Sequence, residues 1–320
     1  MKALVTGITG FAGGHLAEHL LDCGDLVLGV ARQAAWPSPS PARLAGLPLV
    51  SWDISEPPSA DCRAEVERFA PDCVYHLAAM SVPADCGDAE PTAEAWRVNV
   101  EGTRHVIALC LGLARPPRLV LVSSSQVYGP ISAESPTVAE NSAPRPTRGY
   151  GITKLAAESL ALAAGEQGLP VIIARAFQHA GPRQSARLML AEWAAQFALE
   201  SGPVRVQRLH AGLDLSDVRD VVRAYRLLAA HGVAGMVYNV GSGRTIASGE
   251  VFAELRRLAD PARPFEQRYD DARQDPVADV ARLRVATGWT PVIDWRQTVA
   301  DTWNDWRQRA ATMTATRREI

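Results

Sequence analysis

Residues 2–21 leave this chain few folds to choose from. Lys2-Ala-Leu-Val-Thr6 is a short, β-prone apolar run with no polar face, Gly7, Gly10 and Gly13 follow at three-residue spacing, and the pattern turns helical from His15 to Leu21. In a strand, glycine loop and helix in direct succession, one glycine turns the chain at positive φ. A second lets backbone approach a pyrophosphate, and a third lets helix and strand pack closely. The helix N-terminus then meets the phosphates with free N–H groups and its positive dipole end. The stretch is expected to bind a dinucleotide through Gly7, Thr9, Gly10, Phe11, Ala12 and Gly13.

The same alternation continues. Apolar runs at Leu26–Val30, Pro48–Trp52, Cys73–Leu77, Leu119–Ser123 and Leu169–Ala174 read as further strands, with helical spacing between them at 62–69 and in a long helix at 95–113. Continuous apolar strands alternating with helices imply a parallel sheet covered on both faces, a doubly wound, Rossmann-type α/β fold. Arg32, at the end of the second strand, lies where the adenosine ribose is expected and suits a 2′-phosphate, which favours NADP, with NAD the alternative. Asp53 and Ile54 are expected to meet the adenine, and Leu77 with the small pair Ala78-Ala79 permits close approach of the cofactor. Trp36–Pro41 reads as a proline-rich surface loop. After residue 174 the rhythm breaks, with helices expected at 188–199 and 217–228 and a strand at 236–240. The expected division is a dinucleotide-binding domain of 1–174 with 212–240, and a smaller substrate lobe of 175–211 with 241–320, closing over the mouth of the sheet.

Composition bounds the partners. A net charge of −2 and a pI near 6.4 give no general pull toward nucleic acid or anionic membrane. No apolar run approaches the ~20 residues of a membrane span and no signal peptide is apparent, so a cytoplasmic protein is expected. The five cysteines form no Cys-x-x-Cys and are expected to be free. Of the 33 basic residues only Lys2 and Lys154 are lysines, so the ammonium at Lys154 calls for a local explanation.

That explanation lies in the chemistry-bearing segments. Ser123-Ser124-Ser125-Gln126-Val-Tyr128-Gly ends the fifth strand, at the edge where open α/β sheets bind ligands. Tyr150-Gly-Ile-Thr-Lys154 then opens a helix, and tyrosine and lysine at i and i+4 share one face. A phenol with a pKa near 10 becomes an acid-base catalyst at neutral pH only if the phenolate is favoured by roughly 4 kcal/mol, about three pKa units. An adjacent ammonium and a positive nicotinamide are expected to supply that.

Together with Ala174–Pro182, Asp217-Val-Arg-Asp220 and Tyr238-Asn-Val-Gly-Ser242, these segments resemble the extended short-chain dehydrogenase/reductases that act on nucleotide sugars, over about residues 2–310. In texture the chain is most similar to the GDP-mannose 4,6-dehydratases and GDP-4-keto-6-deoxymannose reductases. The resemblance implies that Ser124 hydrogen-bonds the sugar oxygen, that Tyr150 is the general acid or base, and that Lys154 holds the nicotinamide ribose. It implies that Asn99, Ser123 and Phe177 help bind cofactor, and that Ser81, Ser125, Gln126, Gln178 and Arg183 face a nucleotide-sugar substrate, as does Arg273 of Arg273-Gln-Asp275 if it holds a diphosphate, the alternative being a surface salt bridge. It also implies a homodimer through two helices per subunit.

Departures from the family pattern narrow the activity. Dehydratases carry glutamate where this chain has Gln126, which disfavours dehydration; Leu213-Asp214-Leu215 lacks an expected diphosphate arginine. The expected function is an NADPH-dependent reductase of a nucleotide-linked 4-keto-6-deoxyhexose, the alternatives being an NAD-dependent nucleotide-sugar epimerase and a non-catalytic NAD(P)-sensing protein. His15-Leu-Ala-Glu18-His19 has the spacing of a zinc-peptidase helix, but its place on the phosphate-binding helix argues against a metal.

Overall fold

The computed structural model describes residues 1–37 and 40–318, with side chains through residue 313; the middle of the proline-rich loop and the last two residues lie outside the described residues. Seven parallel strands form the central sheet: β1 (Lys2–Thr6), β2 (Leu26–Ala31), β3 (Leu49–Ser51), β4 (Cys73–His76), β5 (Arg118–Ser124), β6 (Val171–Ala176) and β7 (Val237–Val240). Their spatial order is β3-β2-β1-β4-β5-β6-β7, so the winding reverses between β1 and β4. At such a switch point the connections leave in opposite directions and a crevice opens beyond the carboxyl ends of the strands.

Helices cover both faces, and this is why the strands read as unbroken apolar runs. On one face α1 (Phe11–Asp22) and α7 (Val218–His231) pack around Leu16, Leu20, Val221 and Leu228; α2 (Ala60–Phe69), α4 (Gly102–Gly112) and α5 (Gly149–Glu166) pack around Val66, Val106 and Ala161 on the other. A separate aromatic core joins α6 (Met189–Leu199), α8 (Ser248–Ala259) and α10 (Trp295–Arg318), with Trp193 and Phe252 ring centres 5.3 Å apart. Among the described residues no helix is long and apolar enough to cross a membrane. All five cysteines are free, and only Cys23 is exposed.

Two boundaries differ from the sequence expectation in ways that matter at the strand ends. The long helix expected at 95–113 is broken: α3 (Ala93–Trp96) runs into a wide π turn, Arg97–Glu101, before α4 begins. The sixth strand runs Val171–Ala176 rather than Leu169–Ala174, because Gly168 turns the chain at φ +96° and Pro170 has no N–H to add to a ladder. Pairing of Ser124 with Ala176 carries β5 and β6 together to the crevice.

Beneath that edge lies a buried ion pair. Arg175 on β6 donates to both oxygens of Glu158 on α5, the side chains being 6% and 2% exposed. The Ser123 hydroxyl donates to the same carboxylate, and the guanidinium stacks 4.8 Å from the centre of the Tyr128 ring, whose hydroxyl donates to Asn239 on β7. One network thus ties β5, β6, β7 and α5 below the site. Breaking such a pair strands a buried charge, whereas replacing both partners by apolar groups does not. Glu158→Ala is expected to lower stability by about 3–5 kcal/mol in urea unfolding, and Glu158→Leu combined with Arg175→Met to cost much less; equal losses would contradict this account.

Candidate active site

The crevice is a cleft of about 1290 Å³ along the carboxyl edge of the sheet, walled on its far side by the segment 176–190 and the loop 271–276. Its floor begins at the glycine loop. Gly7 sits at φ +70°, and a Cβ there would lie 2.7 Å from the Ala78 nitrogen; a Cβ on Gly13 would lie 2.1 Å from the Gly7 carbonyl oxygen. Side chains at these positions would push the loop off β4 and the helix off the loop. Gly10 caps α1 without a side-chain bond and the first turn carries no acid, so the amides of Phe11, Ala12 and Gly13 face the cleft without intrahelical acceptors. Thr9 lies beside them. The cradle and the bare helix end fit a dinucleotide diphosphate.

Leu77, Ala78 and Ala79 line the next stretch, held because the Thr6 hydroxyl accepts from the Ala78 N–H at 3.3 Å. Thr6 also pairs with His76, whose ring burial, with the Lys154 charge, keeps neutral by lowering its pKa to about 3. At the adenosine end Arg32, Asp53 and Ile54 all reach the cleft. The Asp53 carboxylate accepts from the Ser55 N–H at 3.0 Å, and that bond, foremost, holds its pKa below the usual carboxylate range.

At the other end stand the reactive groups. Ser123, Ser124, Ser125 and Gln126 follow β5 into the cleft, where the Ser124 hydroxyl accepts from the Gln126 N–H and acts on the Tyr150 phenol in the direction that favours its ionised form. One turn further along α5, Lys154 is 5% exposed and donates from Nζ to the Val122 carbonyl at 2.9 Å, 5.8 Å from the centre of the Tyr150 ring. Burial pushes this ammonium down to about 8, against Cys86 and Glu158, which favour its charge.

Burial, with Cys86 beside it, also pushes the Tyr150 phenol above its ordinary value. The expectation is of a phenol lowered by the ammonium together with a positive nicotinamide; in the protein alone burial sets the direction. A phenol held protonated against Ser124 is a proton donor, ready for an oxygen that gains electrons.

Phe177, Gln178, Ser81 and Arg273 line the cleft as well, Arg273 half-exposed and paired with Asp275 at 2.8 Å. Two expected contacts stand elsewhere. Asn99 is 2% exposed and off the cleft wall, its amide divided between Met80, to which it both donates and from which it accepts, and the Thr153 hydroxyl. It fastens the loop after β4 to α5. Arg183 lies behind α1, where it pairs with Glu18 and His15 while its N–H donates to Asp305 at 2.8 Å. That links α1 to α10 rather than facing a substrate. His15 of the zinc-like spacing is accordingly spent on Arg183 and the Pro182 carbonyl.

Arg187, Asp214 and Tyr225 are among the cleft residues that sequence reasoning missed. Arg187 crosses its mouth to Asp85 in a bidentate pair of 2.6 and 2.7 Å. Asp214, 1% exposed, gathers the N–H groups of Ser242, Gly243 and Ala278 and the Ser242 hydroxyl; its position within Leu213-Asp214-Leu215 was noticed only for the arginine it lacks. Tyr225 reaches the floor from α7 with its buried hydroxyl unpartnered.

Comparison with known proteins agrees with this geometry. Residues 3–241 match the family described as NAD dependent epimerase/dehydratase. The chain is 33% identical over 324 residues to the GDP-6-deoxy-D-mannose reductase of Pseudomonas aeruginosa, covering 96% of this chain and 98% of that one. The solved structure of RMD from Pseudomonas aeruginosa complexed with NADPH superposes with a TM-score of 0.81 at 30% identity, over 97% of this chain and 100% of the other. MoeE5 in complex with UDP-glucuronic acid and NAD gives a TM-score of 0.81 at 31% identity, over 97% and 100%.

The buried lysine has a measurable consequence. The folded protein releases the Lys154 proton near pH 8 and the unfolded chain holds it to about 10.5, so the cation destabilises the fold fully below pH 8 and progressively less between 8 and 10.5. In cofactor-free protein Lys154→Met is expected to raise the melting temperature at pH 7, by a margin that shrinks toward pH 10. A margin independent of pH would contradict the burial argument.

Proposed function

The chain belongs to the NAD dependent epimerase/dehydratase family, and from that premise we propose that it is an NADPH-dependent reductase of a nucleotide-linked 4-keto-6-deoxyhexose, with GDP-4-keto-6-deoxymannose as substrate. The observation that carries this reading is the Tyr150 phenol, kept protonated by burial, in one cleft with Ser124 and with Gln126 rather than a carboxylate. Dehydration needs a group that removes or delivers a proton at the sugar ring, and an amide does neither. Reduction needs a donor at one oxygen, and the site has one.

In this reading Ser124 and Tyr150 hold the C4 carbonyl oxygen and polarise it. When bound, NADPH supplies the hydride that goes to C4. Tyr150 gives its proton to the oxygen, so the carbonyl becomes a secondary alcohol and the phenol is left as phenolate beside the Lys154 ammonium. Lys154 holds the nicotinamide ribose and shuttles a proton back to the phenolate. The glycine loop and the α1 amides hold the diphosphate, with Arg32 at the adenosine 2′-phosphate. Arg273, which lines the cleft, would exchange Asp275 for the sugar nucleotide's diphosphate. Support for the substrate comes from the relative named GDP-6-deoxy-D-mannose reductase and from the NADPH-bound structure. The NAD-bound MoeE5 structure, together with a relative named UDP-glucose 4-epimerase at 28% identity, favours a second reading, an NAD-dependent epimerase.

The two readings part on stoichiometry. With freshly made GDP-4-keto-6-deoxymannose the protein is expected to consume one NADPH per sugar, read at 340 nm, and Tyr150→Phe to lower the rate about 10³-fold or more while still binding NADPH. Isomerisation of a sugar nucleotide with NAD copurified and no net consumption would establish the epimerase instead. Full activity in Tyr150→Phe would remove the phenol from the chemistry.

A further inference from the structure

The adenosine end of the cleft carries more positive charge than Arg32 alone. Arg97, the first residue of the π turn, lines the same corner. It is placed there by three contacts that press the start of α4 onto the segment after β3. A Cβ on Gly102 would lie 2.8 Å from the Ile54 Cδ1, His105 Nδ1 is 2.8 Å from the Ile54 carbonyl oxygen, and Asn99 fixes the turn itself through Met80 and Thr153. A π turn places one more residue in a helical turn than the α pattern does, and such turns concentrate at functional sites.

The two guanidiniums are loosely engaged. Arg32 enters no ion pair among the described residues, although its backbone is fixed where its carbonyl accepts from the Ser51 hydroxyl at 3.0 Å. Arg97 meets only Glu56, at 3.4 Å, with side chains 54% and 68% exposed. An exposed pair at that distance contributes little, and Glu56 can turn to solvent when a stronger anion arrives. Between them the Asp53 carboxylate is already committed to the Ser55 N–H, and both arginine charges act on it. Arg175, Arg187 and Arg219, by contrast, each hold a carboxylate within 2.8 Å.

We propose that Arg97 is a second specificity-determining residue of the cofactor site: it joins Arg32 in holding the 2′-phosphate of NADP, releasing Glu56, so that the choice of NADP over NAD rests on two arginines from different elements. The inference rests on the proposed function only in taking NADP as the cofactor. A phosphate dianion takes charge-assisted bonds from two guanidiniums far better than a ribose hydroxyl does. NAD would bring no 2′-phosphate to these arginines, and Arg97 would keep Glu56 as its partner.

The test is equilibrium binding of 2′,5′-ADP and 5′-AMP to the full-length protein by calorimetry, which needs no turnover. Wild type is expected to bind 2′,5′-ADP about 100-fold more tightly than 5′-AMP. Arg97→Gln and Arg32→Gln should each lose about tenfold of the 2′,5′-ADP affinity, roughly one charge-assisted bond, with 5′-AMP unchanged within about twofold. Arg97→Lys should recover part of the loss, since it keeps the charge without the fork. Undiminished 2′,5′-ADP affinity in Arg97→Gln would overturn the proposal, as would equal losses for both ligands, which would make Arg97 an adenine contact. Absence of any 2′,5′-ADP preference in wild type would instead overturn the NADP assignment itself. The melting temperature of each variant checks that the fold is intact, as the exposure of Arg97 leads one to expect.

Discussion

An ammonium ion buried at the end of a β-strand governs the rest of this site. Lys154 has water on almost none of its surface and a single backbone carbonyl, that of Val122, as its hydrogen-bonded acceptor. Desolvation of a cation is unfavourable, and the protein tolerates it because the surrounding structure fixes the position: α5 lies across β5, and the Glu158 carboxylate one turn below favours the charge. The same desolvation holds the Tyr150 phenol protonated. Without its cofactor the protein therefore holds an acid, and on the proposed mechanism a positive charge brought into the cleft would make the phenolate accessible.

The fold delivers these groups by bringing unlike segments to one edge. Parallel strands expose all their carboxyl ends on the same side, and the switch between β1 and β4 leaves a gap there. Gly7 and Gly13 let loop, helix and β4 approach within distances that no side chain would allow. The second aromatic core hangs over this edge. Asp214 knots the loops at 242–243 and 278 together beside the cleft, and the Arg187–Asp85 pair bridges its mouth. Rigid strand ends thus carry the chemistry, while loops and a half-exposed ion pair face the region expected to take the larger, more variable ligand.

How much of this could be read from the chain follows from sequence distance. The glycine loop, the strand-end serines and the Tyr150/Lys154 pair are local patterns whose geometry is set within a few residues, and they come together in one cleft. Arg32 and Asp53 were legible for the same reason, as the ends of clear strands. Asn99 and Arg183 were misplaced because their partners are distant in sequence: Asn99 is bound to Thr153, 54 residues on, and Arg183 to Glu18, 165 residues back. Arg97 drew no notice because a π turn leaves no mark in hydrophobic spacing. The upward shift of Tyr150 in the protein alone was not legible, since spacing reports neighbours and says nothing about how much water they exclude.

The most direct test of this account is the ultraviolet titration of Tyr150, taken at 295 nm as the difference between wild type and Tyr150→Phe, with and without NADP⁺. The account predicts that the cofactor-free phenol stays protonated above its ordinary value of 10, and that saturating NADP⁺ brings the phenolate signal down by about three pH units. Superimposable titrations in the two states would contradict it, because the phenol would then owe nothing to the charge that the cleft is built to receive.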